Sequence, residues 1–178
     1  MFRSFVALSL ACVVASDATP PEAHRWWRLQ APGETKWALV EVKWKDVSGA
    51  DQTSSGAPLS SGSHASWCTV DATRDGDAGS YWMESKEATE DRWVGVRFGS
   101  PTAVATVDVK QYAHENYRVW LAELAWSDDG SSWHVASEGE LDGGTSEDGT
   151  FWETVHAVAP EGAGGAGAKA ASPALDFF

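Results

Sequence analysis

The sequence predicts an all-β protein, an antiparallel sandwich or barrel, and three observations lead to this prediction. Apolar and polar residues alternate with a period of two in several short segments. Turn residues such as Gly, Asp, Ser and Pro separate these segments at short intervals, and no helical pattern lies between them. The chain also contains 11 tryptophans, whose side chains supply large areas for burial in a core.

Six segments carry the strand pattern, enriched in the β-branched and aromatic residues that pleated sheets favour. They are residues 37–45, 93–98, 103–110, 119–127, 132–137 and 150–157. In the first segment, we expect Ala38, Val40, Val42 and Trp44 to share one face. Predicted turns are residues 32–35, 99–101, 127–132 and 141–149. In the turn at 127–132, we expect Gly130 to adopt a positive φ and close a hairpin.

The two ends of the chain are predicted to lie outside the folded domain. Residues 1–16 carry one early charge, Arg3, followed by an apolar run that is typical of a secretory signal peptide. This run is shorter than the roughly 20 residues that a membrane-spanning helix needs. Residues 159–178 are rich in Gly and Ala, which predicts a flexible tail. We therefore expect a soluble, secreted protein with one domain over residues 24–158.

The charge balance limits the possible partners. With 26 acidic and 13 basic residues, the chain has a net charge of −13. Such a surface repels phosphate groups, so neither nucleic acid nor an anionic membrane is an expected partner. Divalent cations and neutral ligands remain compatible with this charge, and simple solubility would also explain it.

The cysteines do not predict an internal disulfide. Cys12 lies in the predicted signal peptide, which leaves Cys68 alone in the mature chain. We expect Cys68 to be a small buried apolar residue, and an intermolecular bridge is the alternative.

Three segments, in this order, resemble the coagulation-factor type C (discoidin) domain. They are DGDAGSYW, WVGVRFGSPTAVATVDV and LAWSDDGSSWHV, which together cover residues 73–136. Arg97 stands where that family usually has an aspartate. The resemblance implies a galactose-binding-like fold, which is a jelly-roll antiparallel β-sandwich.

The order of the segments differs from the family at one place. The strand pair that normally ends such a domain resembles HRWWRL (24–29) and WALVEVKW (37–44), which here come first. A circular permutation explains this order, and permutation is tolerated where chain termini lie close together. The alternative is that residues 24–45 are the remnant of a preceding domain, which would leave an unpaired apolar sheet edge.

The resemblance also implies a structural calcium ion at the loop TRDGDAGSYW (73–82). Its ligands would be the Arg74 carbonyl, Asp75, Asp77, Ser80 and Glu41. Calcium takes six to eight oxygen ligands in flexible geometry, and a sharp Gly turn can direct several oxygens to one point. The alternative is a metal-free turn in which the two aspartates accept hydrogen bonds from backbone amides while Glu41 faces solvent.

Loops at one end of the sandwich are the candidates for ligand binding, because function concentrates in loops. They are residues 61–68, 83–92 and 111–118. Their mixture of aromatic and polar side chains suits a sugar, whose apolar face stacks on a ring while its hydroxyls form hydrogen bonds. The candidate ligand-binding residues are Trp67, Tyr112, His114, Asn116 and Arg118. These residue types are also common in ordinary surface loops, and Trp67 could belong to the core.

No motif predicts an enzyme. The histidines lack the spacing of a zinc site, and the chain has neither a nucleophile elbow nor a phosphate loop. The sequence therefore predicts a secreted, non-catalytic module that recognises an extracellular glycan or glycoprotein. The alternative is a protein–protein adhesion or structural module without a sugar site.

Overall fold

The computed structural model describes residues 21–33, 36–84, 92–141 and 152–157, which form two antiparallel sheets. One sheet has five strands in the order β3-β5-β1-β7-β8, and the other has four in the order β4-β2-β6-β9. The strands are β1 (His24–Ala31), β2 (Ala38–Asp46), β3 (Gly56–Ser60), β4 (Trp82–Met83), β5 (Arg92–Thr102), β6 (Val104–Gln111), β7 (Leu121–Ser127), β8 (His134–Glu140) and β9 (Glu153–His156). Short 3-10 helices span Thr53–Ser55, Val70–Arg74 and Glu115–Tyr117.

This architecture confirms the predicted all-β sandwich. In the described ranges, no helix has the length and apolar character needed to cross a membrane. The predicted signal peptide and C-terminal tail, and most of the predicted turn at 141–149, lie outside these ranges.

The core lies between the two sheets and is dominated by tryptophans. Trp27, Trp37 and Trp82 are fully buried, and Leu29, Leu124 and a group of valines pack around them. Aromatic side chains of this kind bury about 150–250 Å² each. Cys68 is buried with a free thiol, as expected. Apolar burial therefore holds the described domain together without a disulfide.

All four residues of the predicted face of β2 are buried, but the first half of the strand buries its other face as well. Trp37 and Leu39 join the main core cluster before Val40, and Val42 and Trp44 join it after Val40. The pairing of β2 with β6 shifts register between Leu39 and Glu41, which changes the alternation. A bulge of this kind inserts one extra residue into a strand, so the parity of the inward positions changes there.

The predicted turn at residues 99–101 is also wrong, because these residues lie inside β5. The pairing of β1 with β5 shifts register between His24 and Trp26. Such an irregularity leaves part of the ladder unpaired, which tolerates Pro101 without its amide hydrogen. Strand β3 contains Pro58 for a related reason, since it lies at the edge of its sheet.

The predicted hairpin between β7 and β8 is present. Gly130 has a φ of 76°, as expected for the closing residue. Asp129 accepts hydrogen bonds from the amides of Ser131 and Ser132 at 2.7 and 2.8 Å. These bonds, with a third from the Ser127 hydroxyl, hold the pKa of Asp129 well below its usual range.

The two N-terminal strands occupy central positions. Strand β1 lies between β5 and β7, and β2 lies between β4 and β6. Both are paired on each side, so residues 24–46 belong to the same sandwich as the rest of the chain. This is the placement that the permutation hypothesis requires.

Candidate functional site

Five aromatic side chains form a continuous row across three loops. Trp67 meets Tyr81 edge to face with ring centroids 5.7 Å apart, and Tyr81 lies 4.3 Å from Tyr112. Tyr112 then meets Tyr117 at 6.4 Å, and Tyr117 meets His114 at 5.4 Å. We call these five residues the aromatic row. It joins three of the predicted ligand-binding residues, Trp67, Tyr112 and His114.

Strand pairing explains why the row assembles. Tyr81 directly precedes β4 and Tyr112 directly follows β6, and both strands pair with β2 at Leu39. The two tyrosines are therefore brought together at one end of the four-stranded sheet. Trp67 reaches this end because its loop is tied to β4, where the Met83 amide donates to the Cys68 carbonyl.

Trp67 is 63% exposed, so the suggestion that it belongs to the core is wrong. Its neighbour Cys68 is the residue that turns inward. The ring of Tyr81 is half-buried beneath it, and this burial, followed by the nearby Tyr112, raises the pKa of the Tyr81 hydroxyl. The row thus presents an exposed indole on a tightly packed aromatic base.

Gln111 fixes both ends of the 112–118 loop. Its side-chain oxygen accepts from the Val119 amide at 2.9 Å, and its nitrogen donates to the Val119 carbonyl at 3.1 Å. The same oxygen accepts from the Trp37 indole at 3.1 Å, and the nitrogen also donates to Glu153 at 3.0 Å. All the polar atoms of the amide are used, which a buried amide requires. The loop that carries three of the five residues of the aromatic row therefore starts and ends at a fixed point.

Arg118 holds the inside of this loop. Its guanidinium donates to the carbonyls of Tyr112 and Ala113 at 3.2 and 2.6 Å. The amide of Asn116 donates to His114 Nδ1 at 3.3 Å, and the Asn116 side chain is exposed. Two of the predicted ligand-binding residues thus lie on the loop without joining the row.

Four residues at this site were not identified from the sequence, namely Tyr81, Tyr117, Gln111 and Lys36. The Lys36 ammonium lies 5.7 Å from the Tyr117 ring. The two tyrosines lie in segments 73–82 and 111–118, where other residues were predicted to bind calcium or ligand. Gln111 had a signal, because it is a polar residue at an inward position of an apolar strand. The predicted loop at 83–92 lies mostly outside the described residues.

The loop predicted to bind calcium forms a double Asx turn. Asp75 Oδ1 accepts from the Asp77 amide, and Asp77 Oδ1 accepts from the Gly79 amide, each at 2.8 Å. The Ser80 hydroxyl donates to Asp75 Oδ2 at 2.7 Å. Gly76 has a φ of 74°, which gives the turn its sharp bend. These are the amide bonds that the metal-free alternative predicted.

Glu41 is half-buried and lies close to this loop. It lines a groove of about 680 Å³ together with Arg74 and Gly76. The Arg74 guanidinium donates to the Gly56 carbonyl at 2.8 Å. Strand β2 therefore does bring Glu41 to the neighbourhood of residues 74–76.

The candidate ligands fit calcium in their chemistry. All are carboxylate, hydroxyl or carbonyl oxygens, which a hard cation such as calcium prefers. Within the described ranges, however, no group of three or more His, Cys, Asp or Glu side chains is close enough to hold a metal ion. In this arrangement a calcium ion would have at most two of these carboxylates within reach, so backbone carbonyls and the Ser80 hydroxyl would have to supply the other ligands.

Comparison with known proteins identifies one family. A family model described as the F5/8 type C domain matches residues 49–158, more than half of the chain. No curated protein and no solved structure matches. Domains of this family are generally non-catalytic binding modules, typically extracellular, and they bind carbohydrates, phospholipids or other proteins. The match excludes β1 and β2, although both strands are central to the sheets.

Proposed function

The chain belongs to the F5/8 type C (discoidin) domain family, and from this membership we propose that it is a secreted module that recognises extracellular carbohydrate through its aromatic row. The family accounts for the sandwich and for a non-catalytic binding role. The choice of a carbohydrate ligand rests on the side chains at the loop end.

The observation that carries the proposal is the exposed Trp67 at the end of a continuous row of rings. An indole face of this kind stacks on the apolar face of a sugar ring. Tyr81 contacts that indole edge to face and is itself packed against Tyr112, while the row also offers tyrosine hydroxyls and an imidazole for hydrogen bonds. A flat apolar face beside polar edges is the combination that sugar recognition requires.

The rigidity of the loop supports the same proposal. Gln111 closes the ends of the 112–118 loop and Arg118 fills its interior, so Tyr112 and His114 are held before any ligand arrives. A preformed site loses less conformational entropy on binding than a mobile loop does.

A glycan array tests this function directly. We expect the wild-type protein to bind a subset of glycans, and Trp67→Ala and Tyr112→Ala to lose that binding. Trp120→Ala is the matched control, because Trp120 is equally exposed at 63% but lies outside the row. Flat binding by the wild type, or equal loss in all three variants, would contradict the proposal.

The alternative, a protein–protein adhesion module, is favoured by one observation. Trp120 and Leu121 are neighbours in the chain and are 63% and 39% exposed. Exposed aromatic residues are enriched at protein interfaces. Capture of a protein partner that depends on Trp120 but not on Trp67, together with a flat glycan array, would support this function instead.

We also propose that calcium binds at the loop around Asp75 and Asp77, with Glu41 approaching from β2. The ion would stabilise the loop by drawing these carboxylates and nearby carbonyls together, without taking part in a reaction. We expect calcium to raise the melting temperature of the wild type, and Asp75→Asn and Glu41→Gln to abolish the rise. Asp71→Asn, an exposed carboxylate on the preceding 3-10 helix, serves as the control. If Asp75→Asn lowers the melting temperature equally in chelator and in calcium, no calcium binds there.

A further inference from the structure

A second polar cavity lies at the β7–β8 hairpin, away from the aromatic row. It has a volume of about 420 Å³ and combines two arginines, two aromatic residues and two aspartates. Its lining residues are Arg25, Trp26, Arg97, Phe98, Gly99, Asp128 and Asp129. No feature of the proposed carbohydrate site uses these residues.

The cavity lies at the irregular pairing of β1 with β5. The register shifts between His24 and Trp26, so Arg25 lies at the irregularity and lines the same cavity as its neighbour Trp26. Arg97 is the register partner of Trp26, and its guanidinium lies 5.4 Å from the indole centroid. Bulged positions of this kind commonly redirect a side chain.

The two aspartates of the cavity are already engaged within the fold. Asp129 accepts from the amides of Ser131 and Ser132 in the hairpin turn. Asp128 lies 3.0 Å from His24 Nδ1, and that imidazole stacks on Trp126 with centroids 3.5 Å apart. Neither carboxylate forms an ion pair with an arginine of the cavity.

The two arginines, in contrast, have no carboxylate partner among the described residues. Arg25 and Arg97 are both exposed, and neither forms an ion pair in the part of the chain that the structure describes. Each presents N–H donors in a planar fork that matches an oxyanion with two hydrogen bonds.

We propose that this cavity binds the oxyanion groups, carboxylate or sulfate, of an acidic polysaccharide. Arg25 and Arg97 hold the anionic group. This is a second binding surface, and it does not depend on the aromatic row.

The sheet face next to the cavity favours a polysaccharide over an acidic peptide. Arg28 lies two residues further along β1, with its guanidinium 4.3 Å from the Trp133 ring and 5.9 Å from the Trp93 ring. A polysaccharide that continues from the cavity would meet the half-buried rings of Trp93 and Trp133 along this face. An extended peptide instead gains most from pairing with a sheet edge. That mode is closed along residues 26–30 of β1 and residues 94–97 of β5, because these stretches are paired on both sides.

Affinity electrophoresis with the full chain tests the proposal. Native gels would contain polygalacturonate as the carboxylated polymer, dextran sulfate as the sulfated polymer, or dextran as the neutral polymer. We expect one or both acidic polymers to retard the wild type, and salt to weaken the effect. Arg25→Gln and Arg97→Gln should each weaken apparent binding by about tenfold.

The controls separate this site from general charge and from the carbohydrate site. The double variant Lys43→Gln/Lys110→Gln removes two positive charges from the other sheet. It should bind the acidic polymers as the wild type does. Trp67→Ala should also bind acidic polymers as the wild type does. If the aromatic row turns out not to bind carbohydrate, the test of the arginine cavity is therefore unaffected. Melting temperatures of all variants verify that they fold.

Three results would overturn the proposal. The first is that neither acidic polymer retards the wild type at low salt. The second is that the lysine control loses binding as strongly as Arg25→Gln/Arg97→Gln. The third is that poly-glutamate, or a second copy of the chain detected by sedimentation, occupies the arginines in preference to both polymers.

Discussion

Gln111→Leu tests whether the buried amide at the base of the 112–118 loop stabilises the domain. The substitution keeps a similar volume but removes both polar atoms. It leaves three buried groups without partners: the Trp37 indole N–H, and the amide and carbonyl of Val119. A buried polar group that loses its partner costs about 1–3 kcal/mol, so three set a range of about 3–9 kcal/mol. Because costs within one network are not additive, we expect about 3–5 kcal/mol.

Urea denaturation followed by tryptophan fluorescence measures this free energy of unfolding. Gln52→Leu is the matched control, since Gln52 is half-buried and its nitrogen bonds to Asp46 at 2.7 Å near the surface. We expect the control to cost less than about 1 kcal/mol. The reasoning is refuted if Gln111→Leu lies within about 1 kcal/mol of the wild type, or if the two variants lose equal stability.

Two further predictions concern the β7–β8 hairpin. Gly130→Ala should destabilise the domain by about 1–2 kcal/mol, because φ is positive and the new Cβ would lie 3.0 Å from the Trp26 ring. Gly99→Ala, with open space and no positive φ, should lose less than about 0.5 kcal/mol in the same denaturation experiment. Asp129→Asn should lower the melting temperature at pH 7, since the hairpin amides depress the pKa of the carboxyl below the usual 3.8. That stabilisation is complete above about pH 4 and is lost as pH falls further, so the difference between variant and wild type should shrink in acid. A difference in melting temperature between Asp129→Asn and the wild type that stays constant from pH 7 to pH 3 would contradict this prediction.

The strands and the hairpin could be predicted because their signals are local. Alternating residues such as Val94, Val96 and Phe98 indicate a half-buried strand whatever its neighbours are. The burial of the other face in the first half of β2 could not be predicted, because the bulge near Val40 depends on the pairing with β6. Strand β3, with the sequence GAPLS, has no alternation and exists because β5 offers it a partner.

The candidate sites were harder to predict for a related reason. Tyr112 and His114 are close in sequence and could be proposed together, but Tyr81 and Trp67 join them only through strand register. The cavity of Arg25 and Arg97 also depends on register, since the irregular pairing of β1 with β5 brings both residues to one cavity. Pattern reasoning identifies residue types, whereas the pairing of distant strands determines which of them meet.

The most direct test of the carbohydrate-binding proposal is to record the indole N–H signals by NMR during titration with a glycan selected on the array. A Trp67→Phe variant assigns the Trp67 signal, and the buried Trp37 and Trp82 provide internal references. The proposal predicts that the Trp67 signal shifts with ligand while those of Trp37 and Trp82 stay fixed. Shifts confined to Trp26 or Trp120, with Trp67 unchanged, would contradict it.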